Sequence, residues 1–282
     1  MECPNCSTAQ SSLRYKLTNY NIVRCDRCGL LYNDQFPPKE SKENTFSDSY
    51  YCTVQSRAFQ FHGDEYAKDP SVPVFREWLS TIKKQKGSIL DVGCGLGTFL
   101  EVAREAGWQV HGLDVSPFAA NAVKEKMGID VFNGSLVDAP WPEKSFNVIT
   151  FWDSIEHADN PKQCLDKAHA LLKPDGILLI ATDNFDCLGC DIARLSYALT
   201  GGLLTYAMRK FYIPYNATYF TEKQFRELLQ SCGFEIFVFK KMEYPIEKIN
   251  VNPLERGIVS ILYSLAKIAD RQAQFTLLAR KK

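Results

Sequence analysis

The stretch Ser88–Leu100, SILDVGCGLGTFL, decides the fold that the sequence predicts. Its first five residues form a short apolar run with β-branched character, which is typical of a buried strand. Gly93, Gly95 and Gly97 follow at alternate positions, and a helical pattern begins near Thr98. We therefore predict a strand, a glycine turn and a helix start, in which the backbone amides of the first helical turn face a bound ligand.

Two acidic residues make this glycine turn more specific than a G-x-G-x-G pattern alone. Asp91 precedes the turn, and Asp114 ends the next apolar run, 17 residues after Gly97. A carboxylate at that place in an α/β sheet accepts hydrogen bonds from the hydroxyls of a ribose. The turn lacks the G-x-G-x-x-G spacing of dinucleotide-binding folds and the Gly-Lys-Ser/Thr of P-loops, so neither of these classes is predicted.

At these residues the chain resembles the class I S-adenosylmethionine-dependent methyltransferases. DVGCGLGTFL is similar to the first motif of that family, and GLDVSP is similar to its second, acidic-ended strand. The resemblance covers about residues 80–282. It implies an α/β fold with a Rossmann-like seven-stranded methyltransferase sheet, whose last strand inserts antiparallel, and it implies S-adenosyl-L-methionine as the cofactor.

The resemblance also implies a set of cofactor-binding residues. Ser135 stands where many members of the family carry an acidic residue that holds the adenine amino group, so backbone contacts at Ser135 and Leu136 are expected instead. Tyr51 is a candidate either for contact with the methionine part of the cofactor or for packing between domains. The implied set is Tyr51, Asp91, Gly93, Cys94, Gly95, Gly97, Asp114, Val115, Ser135, Leu136, Phe151 and Asp153.

Length and composition limit the classes of protein that fit. A chain of 282 residues has room for one large domain and a small one. The 33 basic and 33 acidic side chains balance, which counts mildly against a nucleic-acid partner. The first residues do not form a signal peptide, and the apolar runs stay below the length of a membrane span, so a cytoplasmic protein is expected. In a reducing compartment, clustered cysteines indicate metal binding rather than disulfides.

Two Cys-x-x-Cys pairs lie near the start of the chain, Cys3 with Cys6 and Cys25 with Cys28, and 18 residues separate the pairs. Each pair favours a tight turn whose backbone amides point at the sulfurs, and four thiolates surround Zn²⁺ tetrahedrally. Four sulfur ligands leave no open coordination position, so the predicted zinc is structural. A core this small depends on its metal for folding.

The predicted domain organisation has three parts. Residues 1–35 form a zinc ribbon, residues 36–80 a linker and a helical segment that covers the cofactor, and residues 81–282 the methyltransferase domain. An apolar, aromatic insertion at about residues 185–218 interrupts the alternation of strands and helices. It is predicted to cap the crevice as a lid that contacts substrate. Core packing, a membrane-surface face and a dimer face are the alternatives.

Asp153, Glu156 and His157 follow the fourth predicted strand of the sheet, at the edge where open α/β sheets build their sites. They resemble a D-x-x-E-H segment of the family and share one face if the segment is helical. Three interpretations stay open. His157 is a general base, since histidine titrates near neutrality; the three side chains bind a divalent metal, as a similar group does in ubiquinone-pathway O-methyltransferases; or Glu156 and His157 only cap and orient the loop.

Tyr219 is the second catalytic candidate after His157. The stretch 215–221 resembles an H-x-x-Y-F-[ST] segment of the family, but Asn216 replaces its histidine. That histidine cannot serve as a base in this protein, and Tyr215 and Tyr219 are the candidate hydrogen-bonding groups that remain.

These features predict a methyltransferase that acts on an O, N or C nucleophile of a small molecule, a saccharide or a secondary metabolite. The order of zinc ribbon, Tyr-Tyr segment and methyltransferase resembles bacterial enzymes of polysaccharide, sugar or secondary-metabolite assembly. The first alternative is an RNA base methyltransferase, because certain ribosomal RNA guanine methyltransferases also begin with a zinc ribbon, and this ribbon contains Arg14, Lys16, Arg24 and Arg27. The second is a non-catalytic binding protein on the same fold, against which the glycine turn and Asp114 argue.

Overall fold

A computed structural model describes residues 2–36, 46, 50, 63–82, 87–248 and 252–282. The strands in these residues are β1 (Ser11–Lys16), β2 (Asn21–Cys25), β3 (Leu31–Asn33), β4 (Ser88–Val92), β5 (Gln109–Asp114), β6 (Val131–Asn133), β7 (Phe146–Trp152), β8 (Leu172–Asp183), β9 (Thr218–Tyr219), β10 (Phe234–Met242) and β11 (Gln274–Lys281). The α-helices are α1 (Val72–Thr81), α2 (Thr98–Glu105), α3 (Pro117–Met127), α4 (Pro161–Leu171), α5 (Leu188–Leu199), α6 (Tyr206–Phe211), α7 (Glu222–Ser231) and α8 (Pro253–Ile268). Short 3₁₀ helices lie at Gly63–Lys68, Ile155–His157 and Ile246–Lys248.

The larger sheet has seven strands in the order β10-β11-β8-β7-β4-β5-β6. Strands β4 to β8 pair in parallel, and β11 is antiparallel to both of its neighbours, β8 and β10. The predicted seven-stranded Rossmann-like sheet with an antiparallel last strand is therefore confirmed. The strand order changes direction between β4 and β7, which places the carboxyl ends of these two strands at the switch point where open α/β sheets bind ligands.

Helices cover both faces of this sheet because successive residues of a strand point to opposite sides. One layer is formed by α1 and α2, and its buried side chains include Trp78, Ile89, Phe99, Val148 and Leu179. The other layer contains α4 and α7, and its buried side chains include Leu90, Ile149, Leu165, Leu178 and Phe225. Continuous apolar strands such as β4 and β7 are explained by this double burial.

Local signals in the sequence place several element ends. Helix α7 begins with a capping box, in which the Thr221 side chain and Gln224 exchange hydrogen bonds with each other's backbone amides. The Lys-Pro-Asp-Gly stretch at residues 173–176 has the composition of a turn, but it lies inside β8. Because Phe146 pairs with Leu172 and Val148 with Ile177, the additional residues form a bulge between two paired segments.

A second sheet joins the start of the chain to the insertion, with the strand order β1-β2-β3-β9. Leu31 of β3 pairs with Tyr219 of β9. Asn33 adds two contacts, since its amide donates to the carbonyl of Ala217 at 3.1 Å and its Nδ2 donates to the carbonyl of Pro214 at 3.0 Å. The N-terminal segment therefore shares a sheet with residues that follow β8.

No helix in the described ranges combines the length and apolarity needed to cross a bilayer.

Gly97 and Gly128 offer a matched test of how closely the glycine turn packs on α3, since both have positive φ, 83° and 65°. A β-carbon at Gly97 would lie 3.0 Å from Val123 Cγ2 and from Met127 Sδ, whereas one at Gly128 would meet no described atom within 4 Å. Gly128→Ala is expected to lower the free energy of unfolding by about 1–2 kcal/mol, because alanine is unfavourable in a left-handed backbone conformation. Gly97→Ala is expected to lower it by about 1 kcal/mol more, because the new methyl group overpacks the contact with α3. Urea unfolding measures both losses, and equal losses would contradict the packing argument.

Candidate active site

The glycine turn is attached to the end of β5 by its backbone amides. The amide of Gly93 donates to the carbonyl of Leu113 at 2.8 Å, and that of Gly95 donates to Asp114 Oδ2 at 2.9 Å. Asp114 Oδ1 accepts the amide of Ser116 at 2.8 Å. One buried carboxylate thus joins the turn after β4, the end of β5 and the start of α3.

The glycines of the turn meet different parts of the protein. At Gly93 a β-carbon would lie 2.6 Å from Ser154 Cβ, so the missing side chain lets the loop after β7 approach the turn. Ser154 Oγ donates to the carbonyl of Val92 at 2.6 Å and holds that approach. Gly93 and Gly97 are therefore required by packing against protein, which the sequence did not distinguish from contact with a ligand.

Asp91 lies beneath the turn and is 2% exposed. Its Oδ1 accepts a hydrogen bond from Thr150 Oγ1 at 2.7 Å, which links β4 to β7. Burial raises the pKa of Asp91, the hydrogen bond from Thr150 lowers it and the neighbouring Asp114 raises it, and together they bring it to about 7. Two carboxyl groups thus lie close together under the glycine turn.

Two aromatic residues from the segment before the sheet lie next to the glycine turn, at the carboxyl ends of β4, β5 and β7, the region called the crevice below. Phe46 and Tyr50 pack with Leu96 of the turn and with Val115 and Ala119, which follow β5. Burial and the neighbouring Tyr215 raise the pKa of Tyr50, with smaller contributions from Glu156, Asp114 and Asp153. Tyr51, the residue predicted to contact the cofactor, lies outside the described residues. Its neighbour Tyr50 is close enough to Asp114, Asp153 and Glu156 for their charges to raise its pKa.

The predicted cofactor residues divide into two groups in the structure. Asp91, the glycines, Asp114 and Val115 come together at the crevice. Cys94, Leu136 and Phe151 are buried, 7%, 2% and 1% exposed. Cys94 packs with Leu100, Val123 and Met127, so its side chain belongs to the core, and its contact with the cofactor stays a prediction. Ser135 Oγ donates to Asp138 Oδ2 at 2.6 Å.

A hydrogen-bonded group of polar side chains lies beyond the ends of β7 and β8. Tyr244 Oη lies 2.8 Å from Asp183 Oδ1 and 3.2 Å from Asp153 Oδ1. A phenol has one proton to donate, so the two carboxyl groups share it. Gln274 Nε2 donates to Asp153, and Asn216 Nδ2 donates to Asp183 at 3.1 Å. Burial raises the pKa of Asp183.

Sequence reasoning missed Tyr244 and Gln274, although topology contained the signal. Tyr244 follows β10, which runs parallel to β8, and Gln274 begins β11, which runs antiparallel to it. The end of a parallel strand and the start of an antiparallel one meet at the same edge of a sheet. Tyr244, which is 61 positions after Asp183 and 91 after Asp153, and Gln274, which is 121 after Asp153, therefore reach the same place.

The segment after Asp153 is not an α-helix. Asp153 has a φ of 49°, and the 3₁₀ helix Ile155–His157 follows it. Glu156 is 2% exposed and accepts a hydrogen bond from Thr182 Oγ1 at 2.8 Å, and burial raises its pKa well above the ordinary value. His157 Nδ1 lies 2.9 Å from the carbonyl of Tyr215. If Nδ1 donates there, the neutral ring carries its lone pair on Nε2.

The divalent-metal interpretation of Asp153, Glu156 and His157 finds no support in this geometry. In the described part of the chain, the four N-terminal cysteines are the group of three or more potential ligands whose donor atoms all lie within 4.8 Å of one another. The positive φ of Asp153 and the burial of Glu156 separate the three side chains that a regular helix would align.

Tyr219 does not reach the crevice. It is fully buried, its hydroxyl donates to the carbonyl of Ile213 at 2.8 Å, and its ring packs against Phe185 and Tyr212 with centroids 4.9 and 5.1 Å away. Strand β9 pairs with β3, and this pairing turns the side chain into the cluster between the N-terminal sheet and the insertion. The catalytic role predicted for Tyr219 is therefore replaced by a packing role.

Cys3, Cys6, Cys25 and Cys28 form a compact group that can hold a metal ion. The Sγ atoms of Cys3 and Cys28 are 3.6 Å apart, and those of Cys6 and Cys25 are 3.5 Å apart. A tetrahedral ion with bonds of about 2.3 Å to sulfur needs sulfurs about 3.8 Å apart. The amide of Cys28 points at Cys25 Sγ at 3.4 Å, as expected for a Cys-x-x-Cys turn. The side chains present fit a four-thiolate site.

The N-terminal sheet is connected to the crevice through a short path. The amide of Asn33, the last residue of β3, donates to the carbonyl of Ala217, and the amide of Ala217 donates to the carbonyl of Glu156 at 2.9 Å. Thr218 Oγ1 lies 3.4 Å from the same carbonyl. The cysteine group and the loop that carries His157 are thus joined by β3 and β9.

Comparison with known proteins agrees with this fold. A family model described as a methyltransferase domain matches residues 67–237, which is more than half of the chain. The ubiquinone biosynthesis O-methyltransferase of Rhodopseudomonas palustris (strain BisB5) is 33% identical over 102 residues, which make up 34% of this chain and 40% of that protein. The chain thus matches less than half the length of that curated relative.

Solved structures resemble the chain over most of its length. A SAM-dependent methyltransferase from Archaeoglobus fulgidus superposes with a TM-score of 0.56 at 18% identity, over 82% of this chain and 100% of that one. The [4+2]-cyclase SpnF superposes with a TM-score of 0.58 at 20% identity, over 85% of this chain and 95% of that one. At these identities the likeness shows the fold alone.

Asp91 is expected to make folding less favourable as the pH rises. Its pKa is about 7 in the folded chain and about 3.9 in an unfolded one, so the folded state binds the additional proton between these values. The free energy of unfolding therefore falls between about pH 4 and 7, by about 4 kcal/mol from this group. Asp91→Asn should remove that part of the fall in urea unfolding measured across this range. Asp138→Asn, at an exposed position, is the control, and an identical pH dependence in both variants would contradict the assignment.

Cys25→Ser is expected to abolish metal binding by the N-terminal group, because a four-thiolate site depends on each ligand. Without the metal, β3 should loosen, and the amides of Asn33 and Ala217 should exchange with deuterium at least about tenfold faster. Metal content by atomic emission and hydrogen exchange measure the two effects. Cys164→Ser, at a half-buried cysteine outside the group, is the control. Unchanged exchange at Ala217 in metal-free Cys25→Ser would disprove the connection through β9.

Proposed function

This chain belongs to the methyltransferase-domain family, and from that premise we propose that it transfers a methyl group from S-adenosylmethionine to a small-molecule or saccharide acceptor. The observation that carries the proposal is the bond from the Gly95 amide to Asp114 at the switch point of the sheet. It holds a glycine turn and a carboxylate side by side, the arrangement that binds a nucleoside through backbone amides and ribose hydroxyls.

On the donor side, Asp114 and the amides of the glycine turn would hold the nucleoside. Val115, Phe46 and Tyr50 would cover it with apolar and aromatic surface, since they pack together next to the turn. When bound, the donor supplies a methyl group that its positively charged sulfur has already activated. The chain then has to align the acceptor with that methyl group and exclude water.

On the acceptor side, the crevice offers mainly hydrogen-bond acceptors. Asp153 and Asp183 face Tyr244, and Asn216 Oδ1 is buried with no hydrogen-bond partner among the described residues. An acceptor with several hydroxyl groups, such as a saccharide or a polyphenol, would supply the missing donors. This chemistry supports a polar small molecule over an apolar one.

We assign the proton transfer to His157. The Tyr215 carbonyl beside Nδ1 favours the neutral ring with its lone pair on Nε2, the form that takes up a proton. As the acceptor oxygen or nitrogen forms its bond to the methyl group, its proton would pass to Nε2. The Asp153–Tyr244–Asp183 group would orient the acceptor.

We further propose that the metal of the cysteine group is Zn²⁺ with a structural role. Four thiolates at tetrahedral spacing suit zinc, and they leave no coordination position for a substrate. Its effect on the crevice would pass through β3 and β9 to the loop of Glu156 and His157.

Two variants separate donor binding from proton transfer. Asp114→Asn places an NH₂ group or a weaker acceptor against two backbone amides, so calorimetry should show at least about tenfold weaker binding of S-adenosylmethionine. His157→Gln should bind the donor as the unmodified chain does, but should transfer methyl groups about 10²–10⁴-fold more slowly. Transfer is measured with radiolabelled donor and a panel of polyphenols and sugar nucleotides. His169→Gln, a histidine that packs on Phe234 outside the crevice, is the control.

The results can also refute the proposal in separate parts. A chain that binds neither the donor nor its demethylated product has no methyltransferase activity, and the non-catalytic alternative then holds. Full turnover in His157→Gln removes the base role and leaves the donor site intact. Salt-dependent retention of RNA, with methylation of RNA and of no small acceptor, would favour the RNA base methyltransferase.

A further inference from the structure

Helix α8 lies on the surface with apolar side chains on more than one side. Ala266 is buried against the protein, whereas Ile258, Ile261, Leu265 and Ile268 are 53%, 63%, 49% and 84% exposed. At 100° per residue, these four side chains lie within an arc of about 80°. Surface helices of globular proteins normally turn polar residues outward, so this arc is an unpartnered apolar stripe.

A second outward stripe lies on α5 and on the turn that follows it. Ile192, Leu195 and Leu199 are 44%, 59% and 77% exposed, and they lie three and four residues apart on one side of α5. Leu203 and Leu204 are 86% and 57% exposed. Helix α5 packs against α8, and we call the two stripes together the apolar face. Soluble monomers rarely expose contiguous apolar patches larger than a few hundred Å².

The charged side chains that follow Asp191 along the chain, up to β9, are basic, and Asp191 itself is paired with Arg194 and Arg271. The 30 residues 192–221 contain Arg194, Arg209 and Lys210 but no aspartate or glutamate. Arg209 and Lys210 are exposed on α6. The Lys210 ammonium lies 5.4 Å from the ring centre of Tyr206, which is 64% exposed. Aromatic rings next to cations are typical of surfaces that lie at the boundary of lipid headgroups and hydrocarbon.

An open cleft borders the apolar face and adds a fourth cation. Its volume is about 520 Å³, and its lining includes Leu195 and Tyr197 of α5 together with Tyr15, Arg14 and Arg194. Arg194 is held by Asp191 and by the Phe185 carbonyl. Arg14 is exposed and forms no ion pair with a described residue, and its guanidinium lies 5.4 Å from the Tyr15 ring centre. A guanidinium above apolar walls suits the phosphate of a lipid headgroup.

We propose that the apolar face binds the surface of a bilayer that contains anionic phospholipids. The exposed leucines and isoleucines would enter the headgroup boundary, while Arg14, Arg209 and Lys210 contact phosphates. A second copy of the chain fits less well, because a two-fold contact through α5 and α6 brings Arg209 and Lys210 of both copies together, and Asp191 of α5 is already paired with Arg194 and Arg271. Anionic lipid neutralises these charges instead.

Flotation of the full chain with vesicles tests the proposal. The partition coefficient of the chain should be at least about tenfold higher for vesicles of phosphatidylcholine with about one third phosphatidylglycerol than for vesicles of phosphatidylcholine alone. The double variant Leu199→Glu, Leu203→Glu should lower the partition coefficient at least about tenfold, because each leucine loses its transfer into hydrocarbon. Arg209→Gln with Lys210→Gln should remove most of the preference for anionic vesicles and of the salt dependence.

The control is Phe237→Glu, which changes a side chain that is 46% exposed on β10, outside the apolar face. It should float like the unmodified chain, and circular dichroism and donor binding check that all variants are folded. Absence of flotation with anionic vesicles at low salt overturns the proposal, as does flotation that the leucine variant retains. A dimer in sedimentation velocity that Leu199→Glu converts to a monomer overturns it as well, and assigns the face to a second copy.

Discussion

The hydrogen bond from the Gly95 amide to Asp114 is the contact on which the crevice depends. The carboxylate also accepts the amide of Ser116, so one side chain sets the positions of the glycine turn, the end of β5 and the start of α3. A buried carboxylate is retained only where donors satisfy it, and here the donors are backbone amides next to a predicted ligand. The raised pKa of Asp91, under the same turn, follows from the burial of two acids side by side.

The two halves of the crevice are built in different ways. The half proposed to bind the methyl donor comes from consecutive elements, β4, the glycine turn, α2 and β5, within about thirty residues. The half proposed to bind the methyl acceptor is assembled from four distant segments, which contribute Asp153, Asp183, Asn216 and Tyr244. The N-terminal sheet takes part in the second half, because β9 pairs with β3 just after Ala217 contacts the Glu156 carbonyl. The cysteine group and the loop of Glu156 and His157 are therefore joined by hydrogen bonds through β3 and β9.

Sequence motifs predicted the strands and the sheet better than the directions of individual side chains. The strand at Ser88–Val92 and the seven-stranded sheet are confirmed. Residues chosen only by their place in a motif fared less well: Cys94 and Tyr219 turn their side chains into the core. In both cases the motif located the backbone correctly, but spacing along the chain does not tell toward which layer a side chain points. Tyr244 carried no motif at all.

By itself, the sequence determined the features that depend on local backbone conformation and on spacing. Glycines at positive φ, the capping box of α7 and the paired cysteines are examples, since each needs particular residue types within a few positions. Only the tertiary structure decided which side chains meet at the crevice and which helix faces are left uncovered. Those outcomes depend on the pairing of strands far apart in the chain, such as β9 with β3 and β11 with β8. No periodicity within α5 or α8 shows which of their apolar sides the rest of the protein covers, because burial is set by neighbouring elements rather than by the helix itself.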